Sequence, residues 1–349
     1  MFMTSCSTSG PVVDSAVPLA AKLLREVNRG QVLNVNIVEF ESGLATEAVT
    51  FDAVTAAEIR YLPVVLRRVL QDSGNWGAIR VLPAESRGSE LQILGRVLAS
   101  DGVELSVHIT ATDSTGRVWV DKTYTDYAYD HAYGFAQASL TEPFIDLFNS
   151  IANDLINTRL KLSDPELDRL LDVAALRYAA DIAPTVFGSY LESGADGSLV
   201  LTGLPSRSDP MFARVNRIRE AEYVFVDTVD QEYTGLHERM RVPYAFWRRY
   251  SYDLLTYNRA ISRVSEDQSA VTFEEMKTVY ERYQESRMNE DELREMAAAF
   301  DAEVSETVFE LEGTVINLSG SIDFQYQEWR QILREIYSLE RGATIEESP

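Results

Sequence analysis

Cys6 is the only cysteine in the 349 residues, and its thiol is the one soft nucleophile the chain offers. Without a second cysteine there is no internal disulfide. The histidines are His108, His131 and His237. A three-histidine zinc site would consume all of them, and no HxH or HxxxH spacing sets them up as ligands, so structural or surface roles are expected. Asp227, Asp230 and Glu232 cluster beside Tyr223, Phe225 and Tyr233. They show neither the Asp, Asn and Gly order of a calcium loop nor a Glu-x-x-His repeat, so a solvated helix face is expected. There is no GxSxG, and Gly194-Ala-Asp-Gly-Ser contains neither GK[ST] nor GxGxxG. Serine nucleophile, phosphate loop and dinucleotide fingerprint therefore all lack their motif. The expectation is a non-enzymatic protein with no catalytic residues, metal or cofactor.

Met3-Thr4-Ser5-Cys6 places a medium apolar residue and two small ones before the cysteine, and this resembles a bacterial lipobox. The resemblance implies diacylglycerol on the Cys6 thiol and cleavage at its amino side. Only Met1 and Phe2 precede the box, so the charged and apolar part of a signal peptide is expected upstream of the first residue. The alternative is a cytosolic protein with an ordinary Cys6. Ser7 stands where an Asp would suggest inner-membrane retention, which leans the address to the outer membrane. One acyl chain gives only marginal membrane residence, and the three chains implied by the resemblance overcome that.

A formal charge of -23, from 32 Lys plus Arg against 55 Asp plus Glu, repels a phosphate backbone and disfavours nucleic-acid binding. It also argues against a polybasic membrane anchor. No apolar run reaches the roughly 18 residues a spanning helix needs, so attachment rests on the lipid or on a partner. Apolar residues at 45% suffice for real cores, and the length exceeds one typical domain.

Residues 1–20 read as lipobox and Pro-punctuated linker. A short helix over 21–28 opens an α+β domain over 21–162. Its elements are a buried strand from Gln31, a helix capped by Thr55 with Pro63 inside it, and a short strand over 78–82. Strands 91–100 and 104–112 are joined at Asp101-Gly102, a dipeptide whose residues tolerate positive φ. A third strand, 117–124, completes a meander, and Phe144, Leu147, Phe148, Ile151 and Leu155 mark a closing helix. The fold class is α+β: a mostly antiparallel sheet with two packed helices, followed by an all-α helical bundle.

Leu91-Gln-Ile-Leu-Gly-Arg-Val with its Asp-Gly hairpin, Arg117-Val-Trp-Val-Asp-Lys and Ile151-Ala-Asn-Asp-Leu complete a second resemblance. Residues 30–160 are similar to the periplasmic lipoprotein domain of the TolB amino-terminal, curli-secretion and ABC-transport-auxiliary groups. This implies a scaffold or adaptor in the cell envelope. The chain departs from those groups in lacking the propeller repeats of TolB and the long amphipathic hairpins of a secretion pore.

Residues 163–204 read as a helical connector and loop, 205–342 as a helical bundle and 343–349 as an acidic disordered tail. Pro210 behind Asp209 starts a long helical stretch to Val264, and further helical runs cover 273–287, 290–309 and 322–340. Tyr124, Tyr127, Tyr129 and Tyr133 either line a groove or cover the sheet-to-helix junction. Tyr244, Trp247, Arg248 and Tyr250, with Trp329 further on, combine aromatics and arginine as partner-binding hot spots do. The same i, i+3, i+7 spacing describes a bundle core. The functional expectation is a periplasm-facing, outer-membrane lipoprotein, lipidated at Cys6, that binds or assembles other envelope proteins. The alternative is an envelope-polymer hydrolase or transferase, which would need paired carboxylates with raised pKa values in a pocket.

Overall fold

The computed structural model of the protein describes residues 17–18, 32–44, 52–128, 142–194, 198–206, 208–264, 273–302, 307–311 and 314–346. Cys6, the 21–28 helix, His131, Tyr129 and Tyr133 lie outside the described residues. The fold class is α+β.

The first half contains β1 (Val35–Val38), β2 (Glu41–Ser42), α1 (Asp52–Ser73), β3 (Ile79–Leu82), β4 (Leu91–Ser100), β5 (Glu104–Asp113), β6 (Val118–Tyr127) and α2 (Ile145–Arg159). The sheet order is β3-β1-β4-β5-β6, with β2 also pairing β4. The meander β4-β5-β6 is antiparallel. β1 runs parallel to both β3 and β4, and β2 runs parallel to β4. The sheet is thus mixed. A helical crossover through α1 returns the chain beside β1 in the same direction, which a tight turn cannot do. Leu91, Ile93 and Val97 of β4 and Leu105, Val107, Ile109 and Ala111 of β5 are buried, while Arg96 and Leu98 on the other face are exposed. α1 and α2 add Leu62, Leu66, Leu70, Phe148, Ile151 and Leu155 to the same core. Each such fully buried side chain contributes roughly 1.5–3 kcal/mol. Thr55 is not the cap of α1: the helix begins at Asp52 and Thr55 is buried within it.

The second half contains α3 (Asp164–Ile182), α4 (Pro184–Phe187), a 3-10 turn (Gly188–Tyr190), β7 (Leu191–Ser193), β8 (Leu199–Leu201), α5 (Pro210–Val264), α6 (Phe273–Ala302), β9 (Thr307–Leu311), β10 (Thr314–Leu318) and α7 (Ile322–Glu346). Two antiparallel hairpins, β7-β8 and β9-β10, stand where loop and helix were expected. Val308, Val315 and Ile316 are β-branched and favour the pleated strand over a helix, so the helical run ends at Ala302 instead of Phe309. Residues 343–346, expected in the tail, belong to α7.

α5 is 55 residues long, about 80 Å at 1.5 Å per residue. The Asp209 carboxylate caps it by accepting from the backbone N–H of Met211 at 2.8 Å. One flank carries Phe225, Val229, Tyr233, Leu236 and Met240, all buried. Phe225 stacks on Trp329 of α7 at 5.1 Å, and Tyr233 packs against Phe300 of α6. The other flank meets the sheet and α1. The range 193–209, within which the boundary is expected, takes in β8 and the segment before α5, and one apolar cluster has residues on both sides of it.

The β4-β5 loop fixes how closely α5 approaches. The Asp101 carboxylate accepts from the backbone N–H of Val103 at 2.6 Å and of Glu104 at 2.7 Å. Gly102 is absent from the glycines with positive φ, which among the described residues are Gly74, Gly116 and Gly320. Its requirement is steric: a Cβ there would stand 2.0 Å from the Tyr252 backbone nitrogen and 2.5 Å from the Arg248 carbonyl oxygen. Gly102→Ala is expected to destabilise the protein by about 3 kcal/mol, the scale of overpacking a rigid contact. Urea denaturation checks it. A loss under about 1 kcal/mol would show that the loop yields.

Candidate functional site

α3 is organised at its start by the Glu166 carboxylate, which accepts from the backbone N–H of Ser163 at 2.9 Å and from its hydroxyl at 2.8 Å. Those bonds hold the exposed Glu166 carboxyl down at about 2. Further along, α3 presents Arg177, Ala180, Asp181 and Ile182 to a hollow of about 470 Å³, closed by Arg87, Pro184, Leu191, Leu199 and Arg334. Arg87 comes from the β3-β4 connection, Leu191 and Leu199 from the β7-β8 hairpin, and Arg334 from α7. The hairpin is tethered to the sheet by the backbone N–H of Leu199 donating to the Thr115 carbonyl at 2.8 Å.

The charges in this hollow are unequal. Asp181 accepts from Arg330 at 2.5 Å and from Arg334 at 3.1 Å, two arginines one turn apart on α7, and Arg87 stands 3.9 Å away. Arg177 donates to the Ser114 backbone carbonyl at 3.0 Å, and no carboxylate among the described residues lies within ion-pair distance of it. Burial, then the neighbouring Arg87 charge, lowers its pKa from the ordinary arginine value. A second hollow of about 420 Å³ shares Leu199 and is lined by Arg117, Arg169, Asp113 and Glu166 among others. Arg117 is held by Glu166 at 3.1 Å.

The aromatic residues considered for partner contact lie inside instead. Tyr244, Trp247, Arg248 and Trp329 are each no more than 2% exposed, and Tyr250 is half-buried. This is the packing alternative of the same periodicity. Arg248 is the hub of a buried network linking α5, α1 and the β4-β5 loop. Its Nε donates to the Tyr244 hydroxyl at 2.8 Å and its Nη2 to the Ser100 hydroxyl at 2.8 Å. The Glu58 carboxylate stands 3.0 Å from that Nη2 and accepts from Ser100 at 2.5 Å. Its Nη1 donates to the Asp101 carbonyl. The guanidinium also lies over the rings of Phe144, Tyr244 and Trp247.

The expected solvated face of α5 is solvated at Asp227, which is exposed, and is a docking seam at Asp230, while Glu232 is half-buried. Asp227 pairs with Arg80 at 2.5 Å. Asp230 pairs with Arg67 and accepts the backbone N–H of Val81 at 2.7 Å. His237 is buried against Tyr61, ring centroids 4.2 Å apart, and burial pushes its imidazole down to about 3. His108 sits on β5 with Asp121 at 2.9 Å. The Tyr124 hydroxyl donates to Asp154 of α2 at 2.8 Å, so this tyrosine covers the sheet-to-helix junction, whereas Tyr127 is exposed.

Several carboxyls do have raised pKa values. Burial lifts Glu39 to about 6 and Glu142 to about 7, and raises Glu90, Glu222, Asp230 and Asp323. Glu39 and Asp301 share the Nη2 of Arg60 between them, at 3.2 and 2.5 Å, and Glu39 also accepts from the Tyr233 hydroxyl at 2.8 Å. The space in which two opposed carboxylates would act on a substrate is filled there by a guanidinium.

No protein-family profile and no curated protein matches the chain. Among solved structures it is similar to two dodecameric PelC structures from Paraburkholderia phytofirmans. To one of them, a single-substitution variant, it is 16% identical over 41% of this chain and 92% of that one, with a TM-score of 0.21. To the other the identity is 18% over 42% and 94%, with a TM-score of 0.22.

Two outcomes check the interior. Arg248→Met leaves Glu58 buried without its cation and is expected to cost about 3–5 kcal/mol, most of it recovered by adding Glu58→Gln. A double variant as unstable as the single one in urea would remove the ion pair as the cause. Glu39 has a folded pKa above its unfolded one, so its contribution is full below about pH 4.5 and is lost as pH rises through about 6. Relative to Glu39→Gln, the wild type is expected to lose on the order of 2 kcal/mol between pH 4.5 and 7.5. A pH-independent difference would contradict the raised carboxyl.

Proposed function

We propose that this protein is a non-enzymatic binding module of the bacterial cell envelope, carried on the outer membrane by lipid on Cys6 and working on the periplasmic side. The observation that carries the binding part is the lining of the α3-α7-hairpin hollow: Arg87, Arg177 and Arg334 among Ile182, Pro184, Leu191 and Leu199. Guanidinium groups stay protonated at physiological pH and aliphatic chains carry no proton to exchange, so such walls recognise charge and shape but do no acid-base work. The lining carboxylate, Asp181, is held by Arg330 and Arg334. The envelope part is supported by Met3-Thr4-Ser5-Cys6, by the resemblance of residues 30–160 to envelope lipoprotein domains, and by a charge of -23 that needs a lipid and not a basic patch for attachment. Among the described residues no helix is long and apolar enough to cross a membrane.

The test is palmitate labelling with membrane fractionation, expressing the gene with its upstream sequence and comparing Cys6→Ala. Label and membrane residence are expected in the parent and lost together in the variant. An unlabelled, soluble parent would defeat the envelope address.

A further inference from the structure

We infer that the 470 Å³ hollow between α3, α7 and the β7-β8 hairpin is a binding site for a small soluble oxyanion, a compound carrying two or more carboxylate or phosphate charges. The inference rests on the binding-module reading and names the ligand class. Three guanidinium groups, Arg87, Arg177 and Arg334, line the hollow with one carboxylate, Asp181, which Arg330 also holds. The other carboxylates whose charge reaches these arginines lie outside the lining: Glu85 accepts from the Gln92 amide at 2.7 Å, Asp113 from the Trp119 indole at 2.8 Å, and Glu222 is buried toward Arg330. The lining itself therefore carries a surplus of positive charge, three guanidiniums to one carboxylate, in a chain whose formal charge is -23. On the α5 seam the arginines are matched: Arg67 by Asp230, Arg219 by Glu90 at 3.6 Å, Arg248 by Glu58. Gathering like charges and partly desolvating one of them is unfavourable unless an anion completes the set.

The donors also suit oxyanions geometrically. Each guanidinium is a planar fork that engages carboxylate or phosphate through two parallel hydrogen bonds. Among the described residues Arg177, from the wall, and Arg87, from an exposed loop, hold no carboxylate within ordinary hydrogen-bond reach, so their forks are the ones a ligand would engage. The volume lies in the range of small-molecule pockets, roughly 300–1,000 Å³. The aliphatic Ile182, Pro184, Leu191 and Leu199 would cover the carbon skeleton between the charged groups.

Isothermal titration of the full chain with pyrophosphate, and separately with citrate, at low ionic strength tests the assignment. One saturable site is expected for at least one of them, weakened about tenfold or more in both Arg87→Gln and Arg177→Gln and weakened by added salt. Arg87 is mostly exposed, so its variant decides the matter even if Arg177→Gln does not fold. Absence of saturable binding by folded protein up to millimolar anion would overturn the assignment. So would binding that both variants leave within about twofold of the parent, or adsorption to phosphatidylglycerol vesicles without binding of either soluble anion. A failed titration leaves the palmitate result standing, and a failed palmitate experiment leaves the titration interpretable.

Discussion

Everything in this fold depends on seating one 55-residue helix, α5, against α1 and the end of the sheet. The seam is polar. Reading along α5, Arg219 meets Glu90, Asp227 meets Arg80, Asp230 meets Arg67, and Tyr244 and Arg248 meet Glu58. The spacing keeps all of them on one face of a 3.6-residue helix. As α5 ascends from Asp230 to Arg248, its partners on α1 descend from Arg67 to Glu58, so the helices run antiparallel. Charge pairs of this kind add little net stability over an apolar seam, but each becomes costly once a partner is displaced. A slip of one turn would leave several charges buried and unmatched, so the seam fixes register. Gly102 sets how close the two bodies come, since only a residue without Cβ fits beneath the α5 backbone.

This seam explains where sequence reading succeeded and where it failed. The α+β half was legible nearly element by element because its code is hydrophobic periodicity. Leu105, Val107, Ile109 and Ala111 alternate and are buried, and Leu147, Phe148, Ile151 and Leu155 recur at helical spacing and are buried. The span of α5 was equally legible from Asp209-Pro210 onward. Its contacts were not. An acidic cluster such as Asp227, Asp230 and Glu232 reads as a solvated face when a partner lies well over 100 residues away, as Arg67 does from Asp230. The same blindness leaves unseen that one apolar cluster has residues on both sides of 193–209. Lys and Arg counts conceal the point as well, because they record how many charges exist and not which are neutralised.

The hollow was invisible for a related reason. Arg87, Arg177 and Arg334 belong to a loop and two helices far apart in sequence, and none carries a motif. The only local sign was Arg330 and Arg334, like charges at i, i+4 on α7, a pair that is mildly unfavourable unless something answers it. Asp181 answers it in part. Trp247 and Arg248 show the converse error: aromatic and arginine side chains in one cluster carry the composition of an interface, yet they lie in the interior. Composition alone does not separate an internal seam from an external one. Both bury rings and guanidiniums, and the difference lies in whether the opposing surface belongs to the same chain.

Charge ties these observations together. In solution the chain repels anions at long range because of its net charge of -23. Screening confines that repulsion, since the Debye length is about 8 Å at physiological ionic strength. Inside the hollow three guanidiniums face one carboxylate, Asp181, and there a ligand would meet local attraction after crossing an unfavourable outer field. Such a site gains nothing from electrostatic steering and would act through short, charge-assisted hydrogen bonds that form only on contact. The arrangement would reject diffuse polyanions, whose distant charges feel the outer field, and admit a compact one. The matched arginines of the α5 seam and the under-matched arginines of the hollow are chemically the same group. One set is finished by folding, and the other is left for a ligand to finish.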